Sequence, residues 1–345
     1  MTRPHAQSLA VIIDEPTKVG EARRRATALA AALGFDALRQ GTVALVVSEA
    51  ATNLIKHAGG GELIVLGRDD PATGSRLELL ALDRGPGMTD VGRCLADGYS
   101  TAGSLGNGLG AIRRLSDSLE IYSSPGGGTV LWARLGARCA AEAARGTALE
   151  FTAVSLPAPR QDVCGDNWAV LRCGDQSLVL LVDGLGHGAP AAEAAEAAVR
   201  VFRSQPAGEP AAVIEAAHRA LRGTRGAALA IARLDSRRGA VRYAGVGNIA
   251  GLLLDSRTGQ TIRMISENGT VGHAVRKIQA FDYPWAEDAV VILHSDGLAT
   301  RWDLDNYPGL SRRHPALLAG LLYRDHRRGR DDVSVLVARR EGTAP

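Results

Sequence analysis

Acidic and amide side chains framed by glycine recur along this chain in two sets, and each set suits its own chemistry. The first comprises Glu49-Ala-Ala-Thr-Asn53, Asp83-Arg-Gly-Pro-Gly87 and Gly106-Asn-Gly-Leu-Gly110. Glu49 and Asn53 are four residues apart, so on a helix they share one face. Asn53 offers a neutral oxygen suited to magnesium, which takes oxygen ligands and keeps several waters. Glu49 can take a proton from an attacking hydroxyl, or orient it. Asp83 closes a predicted strand, where a carboxylate can accept a hydrogen bond from the exocyclic amine of adenine. Gly85 and Gly87 let the backbone approach the base with no Cβ in the way. Gly106, Gly108 and Gly110 precede a predicted helix, so free N–H groups and the helix dipole face a phosphate. Thr129, after the turn that ends at Gly128, can place a hydroxyl beside the base. Each piece alone has a plainer reading: Gly-x-Gly-x-Gly is commonly a turn, and Glu and Asn on a helix commonly a solvated face. Their order and spacing together predict a site for ATP and Mg2+.

The second set comprises Gly165-Asp166-Asn-Trp168, Asp183-Gly-Leu-Gly-His187-Gly188, Ser295-Asp296-Gly297 and Arg330-Asp331-Asp332. Asp166, Asp183, Asp296 and Asp331 each fall where a strand is predicted to end or turn. Four converging carboxylates repel one another and raise their own pKa values. Two divalent cations resolve that repulsion, and hard carboxylate ligands favour Mg2+ or Mn2+. Such an ion pair, roughly 3.5–4 Å apart, holds a bridging water and clamps phosphoryl oxygens. The backbone carbonyl of Gly184 is a further candidate ligand. His187 has two readings of equal weight: a group that orients water or protonates the leaving alkoxide, and an ordinary loop histidine. A single Asp-Gly is most often a turn. Four such pieces in this order predict a binuclear metal site acting on phosphate esters.

The elements that must position these residues follow from hydrophobic period. Val19, Ala22, Ala26, Leu29, Ala30 and Leu33 recur at helical spacing, closed by Gly34. Val43, Val46, Val47, Ala50, Leu54 and Ile55 repeat the pattern, stopped by Gly59-Gly60-Gly61. Strands are predicted at Glu62–Gly67, Arg76–Leu82, Leu119–Ser123 and Thr129–Leu135, with a helix at Ile112–Asp117. This is a layer of helices on a mostly antiparallel sheet. Beyond an Ala-rich joint at Gly136–Gly146, strands are predicted around Phe151–Ser155, Trp168–Arg172, Leu178–Val182, Ala227–Leu234, Ala240–Ala244, Gly251–Asp255, Ala289–His294 and Val333–Ala338. Two helices, Ala189–Phe202 and Ala211–Leu221, fall among them. The expected class is α+β, an α/β-layer domain over 1–136, a linker over 137–149 and an α/β sandwich over 150–345.

Residues 8–135 resemble the ATPase fold shared by gyrase, the ninety-kilodalton heat-shock chaperone, histidine kinases and mismatch-repair proteins. Ser48-Glu49…Asn53…His57-Ala58-Gly59, Asp83–Gly87 and Asp97-Gly98-Tyr99-Ser100-Thr101…Gly106–Gly110 stand in the order of its small anti-sigma-type serine/threonine switch kinases. The Gly-Tyr-Ser-Thr stretch resembles the stressosome-type branch. The resemblance implies Glu49 as catalytic base, Asn53 as Mg2+ ligand, Asp83 as adenine reader and Gly106–Gly110 as phosphate loop. Residues 150–340 resemble the metal-dependent type-2C (PPM) serine/threonine phosphatases of the sporulation and stress branch, which implies an αββα sandwich. Carried over residue by residue, Asp166 and Asp183 bridge or flank the metals, and Asp296 and Asp331 hold the second ion. Three departures stand out. Asp332 occupies a place where Asn is common. The phosphate-binding arginine expected before the first aspartate has only Arg160 as a near candidate. Gly223–Ala228 and the region after Asp296 are short, so the flap of larger members is expected to be missing.

Composition sets the outer bounds. At 345 residues the chain exceeds what one core usually serves. A net charge of +3, with the Arg-rich stretch at 324–330 only local, weighs against nucleic-acid binding. Cys94, Cys139, Cys164 and Cys173 show no paired ligand spacing and fit free thiols in a reducing compartment. No apolar run reaches the roughly 18 residues of a membrane span, so a cytoplasmic protein is expected. No phosphoaccepting-histidine helix precedes the ATP site, and His57 reads as structural. The leading expectation is a bifunctional kinase and phosphatase acting on a STAS-type anti-sigma-factor antagonist, with a sigma factor or upstream regulator as a further partner. The alternative is a phosphatase whose N-terminal half binds ATP and a partner, or acts as an anti-sigma module, without transferring phosphate.

Overall fold

The computed structural model describes residues 6–69, 74–95, 108–137 and 149–340. The chain folds as two compact units, Met1–Gly146 and Thr147–Pro345. Residues 138–148, which include most of the expected joint, lie outside the described residues.

The first unit runs β1 (Ala6–Ile13), α1 (Pro16–Ala32), α2 (Ala37–Ala58), β2 (Gly61–Arg68), β3 (Arg76–Leu82), α3 (Val91–Cys94), α4 (Gly108–Leu115), β4 (Ser118–Ser124) and β5 (Gly128–Gly136). Pro16 opens α1, where its missing N–H costs nothing. The Asp36 carboxylate caps α2 by accepting from the Arg39 N–H, and Gly59 ends it in the left-handed region at φ 71°. The strands pair in the order β1-β2-β3-β5-β4, all antiparallel. Val46, Val47 and Leu54 of α2 and Leu29 of α1 pack on Leu63, Val65, Leu79 and Leu131 of the sheet. Burying that face of α2 leaves Glu49 and Asn53 half-buried on another. The Arg39 guanidinium donates to both carboxylate oxygens of Asp117 at 3.0 Å and to the Gly136 carbonyl at 2.9 Å. That clamp fixes the start of α2 against the end of β5.

The second unit runs β6 (Leu149–Leu156), β7 (Asp166–Cys173), β8 (Gln176–Gly184), α5 (Ala189–Arg203), α6 (Pro210–Ala220), β9 (Ala227–Asp235), β10 (Ala240–Val246), β11 (Ala250–Asp255), β12 (Thr261–Met264), β13 (Gly269–Thr270), β14 (Ala274–Val275), β15 (Phe281–Pro284), β16 (Ala289–His294), α7 (Pro315–His326) and β17 (Val333–Arg340). Two five-stranded sheets form, β15-β10-β9-β8-β7 and β12-β11-β16-β17-β6. Successive strand residues point to opposite faces. Val179 and Leu181 of β8 therefore enter the core between the sheets with Phe151, Val291, Leu293 and Leu336. Leu178, Leu180 and Val182 turn outward onto Val199, Phe202 and Ile214 of α5 and α6. α7 packs on β17 and β6 of the other sheet. The result is the expected αββα sandwich. The small β13–β14 hairpin bridges to the start of β9 through Ala227 and Val271.

Two candidate active sites

In the first unit α2 carries Glu49 and Asn53 to the start of α4. A Cβ on Gly108 would lie 3.2 Å from both Asn53 Oδ1 and Glu49 Oε2, so the two side chains meet the first residue of that helix. Asn53 Nδ2 is buried and has no hydrogen-bond partner. An unsatisfied buried amide is costly, and it marks a position that a bound polar group would complete. A half-turn of the amide exchanges nitrogen for oxygen, so the same position can present the neutral oxygen that Mg2+ takes. Gly110 is buried in the first turn of α4. Gly106 and Asp97–Thr101 lie outside the described residues. His57 is exposed in the last turn of α2.

Asp83, Gly85, Gly87 and Thr129 form a second group. Asp83 Oδ1 accepts from the backbone N–H of Gly85 at 2.9 Å and of Thr129 at 3.1 Å. A Cβ on Gly85 would lie 2.7 Å from that of Ala58, so the loop abuts the end of α2. Ala58 is five residues beyond Asn53, about 8 Å along the helix axis. Gly87 has φ 70°, and a Cβ there would fall 2.0 Å from the Ser124 carbonyl oxygen; only glycine fits. Ser123, which sequence reasoning missed, ties this loop together. Its Oγ accepts from the Met88 N–H at 2.8 Å, donates to the Gly128 carbonyl at 2.9 Å and lies 3.0 Å from Thr129 Oγ1. Nothing in the sequence distinguishes it from any other polar strand residue.

In the second unit the β7–β8 register sets Asp166 directly opposite Asp183. Like charges so placed repel. Asp296 follows β16 and Asp331 precedes β17, adjacent antiparallel strands of the other sheet, so both come from the same end of it. Ser295 links the sheets: its Oγ donates to Asp166 Oδ2 at 2.6 Å and accepts from the Ser334 N–H at 2.9 Å. The other oxygen, Asp166 Oδ1, is buried with no partner. Asn248, also unnoticed in the sequence, donates to Asp296 Oδ2 at 2.7 Å. Asp332 is not a vacant stand-in for Asn. Its two oxygens accept from the Ala158 N–H at 2.7 Å and the Gly165 N–H at 2.8 Å, which holds the entry into Asp166. A Cβ on Gly184 would sit 2.1 Å from the Ala191 carbonyl oxygen, so α5 starts hard against the loop that follows Asp183. His187 is exposed in that loop and makes no hydrogen bond among the described residues.

Burial first, then repulsion from Asp332 and Asp296, pushes Asp166 well above the ordinary carboxylate range, against the opposing bonds from Ser295 and Ser334. Burial, followed by repulsion from Asp166, Asp296, Asp331 and Asp332, pushes Asp183 up as well. Burial also raises the neighbouring Cys164 thiol, so it stays protonated and is no nucleophile. Among the described residues no three Asp, Glu, His or Cys side chains are gathered closely enough to hold one ion unaided. An unpartnered buried carboxylate oxygen facing a second raised carboxylate nonetheless suits hard cations that keep much of their water.

A model of the histidine kinase-like ATPase domain matches residues 12–135. Over 114 residues the chain is 35% identical to the serine/threonine-protein kinase RsbT of Bacillus subtilis, spanning 32% of this chain and 84% of RsbT. The chain belongs to the histidine kinase-like ATPase family. To that ATPase half is joined a PP2C-type phosphatase domain, for a model of Stage II sporulation protein E matches residues 174–341. Over 139 residues the chain is 25% identical to the phosphoserine phosphatase RsbX of Bacillus subtilis, spanning 40% of this chain and 69% of RsbX. A solved structure from work on the bacterial stressosome as a modular system is 31% identical with a TM-score of 0.51, covering 55% of this chain and 99% of that one. The sporulation-protein match includes Asp183, Asp296 and Asp331 but begins after Asp166, which the strand register adds. No helix among the described residues is long and apolar enough to cross a membrane.

Proposed function

We propose that this ATPase-family chain is a two-way protein switch in the cytoplasm. Its first unit transfers phosphate from ATP to a serine or threonine of a STAS-type anti-sigma-factor antagonist, and its second unit removes that phosphate. The carrying observation is Glu49, set beside Asn53 at the start of α4 on a chain that also sets Asp166 opposite Asp183. A module that merely bound nucleotide would need no base at that point. Likeness to a protein named a serine/threonine kinase and to another named a phosphoserine phosphatase supports the pairing.

In the first unit, Asn53 would hold Mg2+, Asp83 with Thr129 would read the adenine edge, and the Gly106–Gly110 loop would face the phosphates. Glu49 would accept the proton of the attacking hydroxyl. In the second, Asp166, Asp183, the Gly184 carbonyl, Asp296 and Asp331 would hold two Mn2+ or Mg2+ ions. Bound there, the ions would supply a water of lowered pKa and a clamp on phosphoryl oxygens. Ser295 and Asn248 orient Asp166 and Asp296 by hydrogen bonds.

Labelled γ-phosphate of ATP, a purified STAS-type antagonist and Mn2+ or Mg2+ test the reading. Asp183→Ala should accumulate phosphoserine or phosphothreonine on the antagonist, and wild type should turn it over. Glu49→Ala should slow transfer roughly 100-fold or more, the usual worth of a general base. Suppose instead that no form transfers phosphate, while wild type binds ATP and strips a pre-phosphorylated antagonist. The first unit is then a regulatory module.

A further inference from the structure

The sequence offered no arginine to grip the substrate's phosphoryl group except Arg160. The fold brings another. Arg225, in the turn between α6 and β9, reaches the loop that follows Asp183. A Cβ built on Gly186 would lie 2.8 Å from Arg225 Nη1, so the guanidinium rests against bare backbone three residues past that carboxylate. Gly186 has φ 87°, a conformation that favours glycine, and lack of a Cβ is also what admits the guanidinium.

The backbone behind Arg225 is pinned on both sides. The Leu185 N–H donates to the Gly226 carbonyl at 3.0 Å, which ties the turn to the metal loop itself. His273 Nε2 lies 2.9 Å from the Arg225 carbonyl, and Ala227 pairs with Val271 of the small hairpin. Thr224 Oγ1 accepts from the Gly226 N–H at 3.0 Å and donates to the Leu221 carbonyl at 2.8 Å. The side chain at the end of this scaffold is exposed, and it forms no ion pair with any described carboxylate. An exposed cation thus lies against the loop that follows Asp183, on backbone pinned at both sides.

We propose that Arg225 is the phosphate-gripping residue of the second unit, donating its planar fork to the non-bridging oxygens of the phosphoryl group. Charge-assisted, bidentate donation is what distinguishes arginine from lysine at such a site. The assignment rests on the phosphatase reading for its substrate class, but its binding test does not need turnover. Arg225 also keeps its positive charge outside the carboxylate set, so its removal should leave metal binding intact.

The test is calorimetric binding of orthophosphate to the full chain loaded with Mn2+, beside turnover of an aryl phosphate. Arg225→Ala should weaken orthophosphate roughly tenfold or more, as expected for lost charge-assisted hydrogen bonds. Arg225→Lys should recover part of that loss, and Mn2+ affinity should stay within about twofold of wild type in both. The exposed neighbour Arg222→Ala controls for charge alone and should leave orthophosphate binding unchanged. An unchanged orthophosphate affinity in Arg225→Ala, or a loss found only in Arg160→Ala, overturns the assignment. So does a wild type that binds no orthophosphate at all. A wild type that binds it through Arg225 yet hydrolyses no phosphate ester keeps the assignment as an anion site and sinks the phosphatase reading instead.

Discussion

Ser295 donates to Asp166 Oδ2 at 2.6 Å, and Asp166 Oδ1 has no partner among the described residues. Replacing that hydroxyl by hydrogen should therefore cost more than its small volume suggests. Ser295→Ala would remove the 2.6 Å donor to the buried Asp166 carboxylate and strip the Ser334 N–H of its acceptor. Stability of the metal-free chain should fall by about 2 kcal/mol, the usual penalty for stranding buried polar groups. Mn2+ affinity should fall with it, because Asp166 loses its orientation. Urea unfolding and metal titration read the two effects separately; a variant unchanged in both would show that Asp166 needs no such support. The contrast between Asp166 and Ser295 also marks what was readable from the amino-acid order. Aspartates beside glycines at strand ends announce themselves, because the residue types and the turn coincide. Ser123, Arg225, Asn248 and the bridging role of Ser295 depend on which strand lies next to which, and no local pattern encodes that. Asp332 shows the same limit from the other side: it read as a departure from a family pattern, whereas its two backbone bonds use both acceptors of a carboxylate.

Strand register is the element-scale device that concentrates charge. The apolar run Leu178–Val182 made β8 legible, and Trp168–Arg172 did so for β7, but their pairing alone sets Asp166 against Asp183. α7 escaped notice for a physical reason: every residue from Pro315 to Tyr323 is buried, so that stretch shows no polar face and no amphipathic period. β1 was hidden similarly, since Ile12 is exposed between buried Val11 and Ile13 and blurs the two-residue alternation. The facing carboxylates carry a pH signature. Both bind protons more tightly in the folded chain than in the unfolded one. Neither costs stability at a pH below the unfolded carboxylate value, about 4. As pH rises above it, the unfolded chain sheds protons that the folded chain retains, so the metal-free fold loses stability through the acidic range toward neutrality. Metal-free wild type should therefore melt lower at pH 7 than at pH 5. Asp183→Asn should flatten that dependence, and Mn2+ should raise the melting temperature more at pH 7, since ligands bind it deprotonated. A slope in Asp183→Asn parallel to that of wild type would place the titration elsewhere.

At the scale of the whole molecule, the proposed pair of opposite reactions would have a consequence that neither unit has alone. If both act on the same hydroxyl, each round consumes one ATP and restores the partner unmodified. ATP consumption then depends on the partner catalytically. With ATP in excess over partner, wild type should release inorganic phosphate steadily, at a rate that saturates with partner concentration. Asp183→Ala should consume ATP in a single burst equal in amount to the partner's acceptor sites and then stop, because each hydroxyl is used once. Glu49→Ala should show neither burst nor steady phase while still dephosphorylating partner prepared in advance. Mixing Asp183→Ala with Glu49→Ala should restore the steady phase, since the modified partner can diffuse from one chain to the other. Separate targets give another pattern: wild type and Asp183→Ala would burst alike on one partner, and the mixture would add nothing. A wild type that stays silent until one unit's ligand is withdrawn would instead show that the two reactions alternate. The two-target case ends the shared-substrate reading, whereas the alternating case keeps it and identifies the gate by whichever ligand was withdrawn.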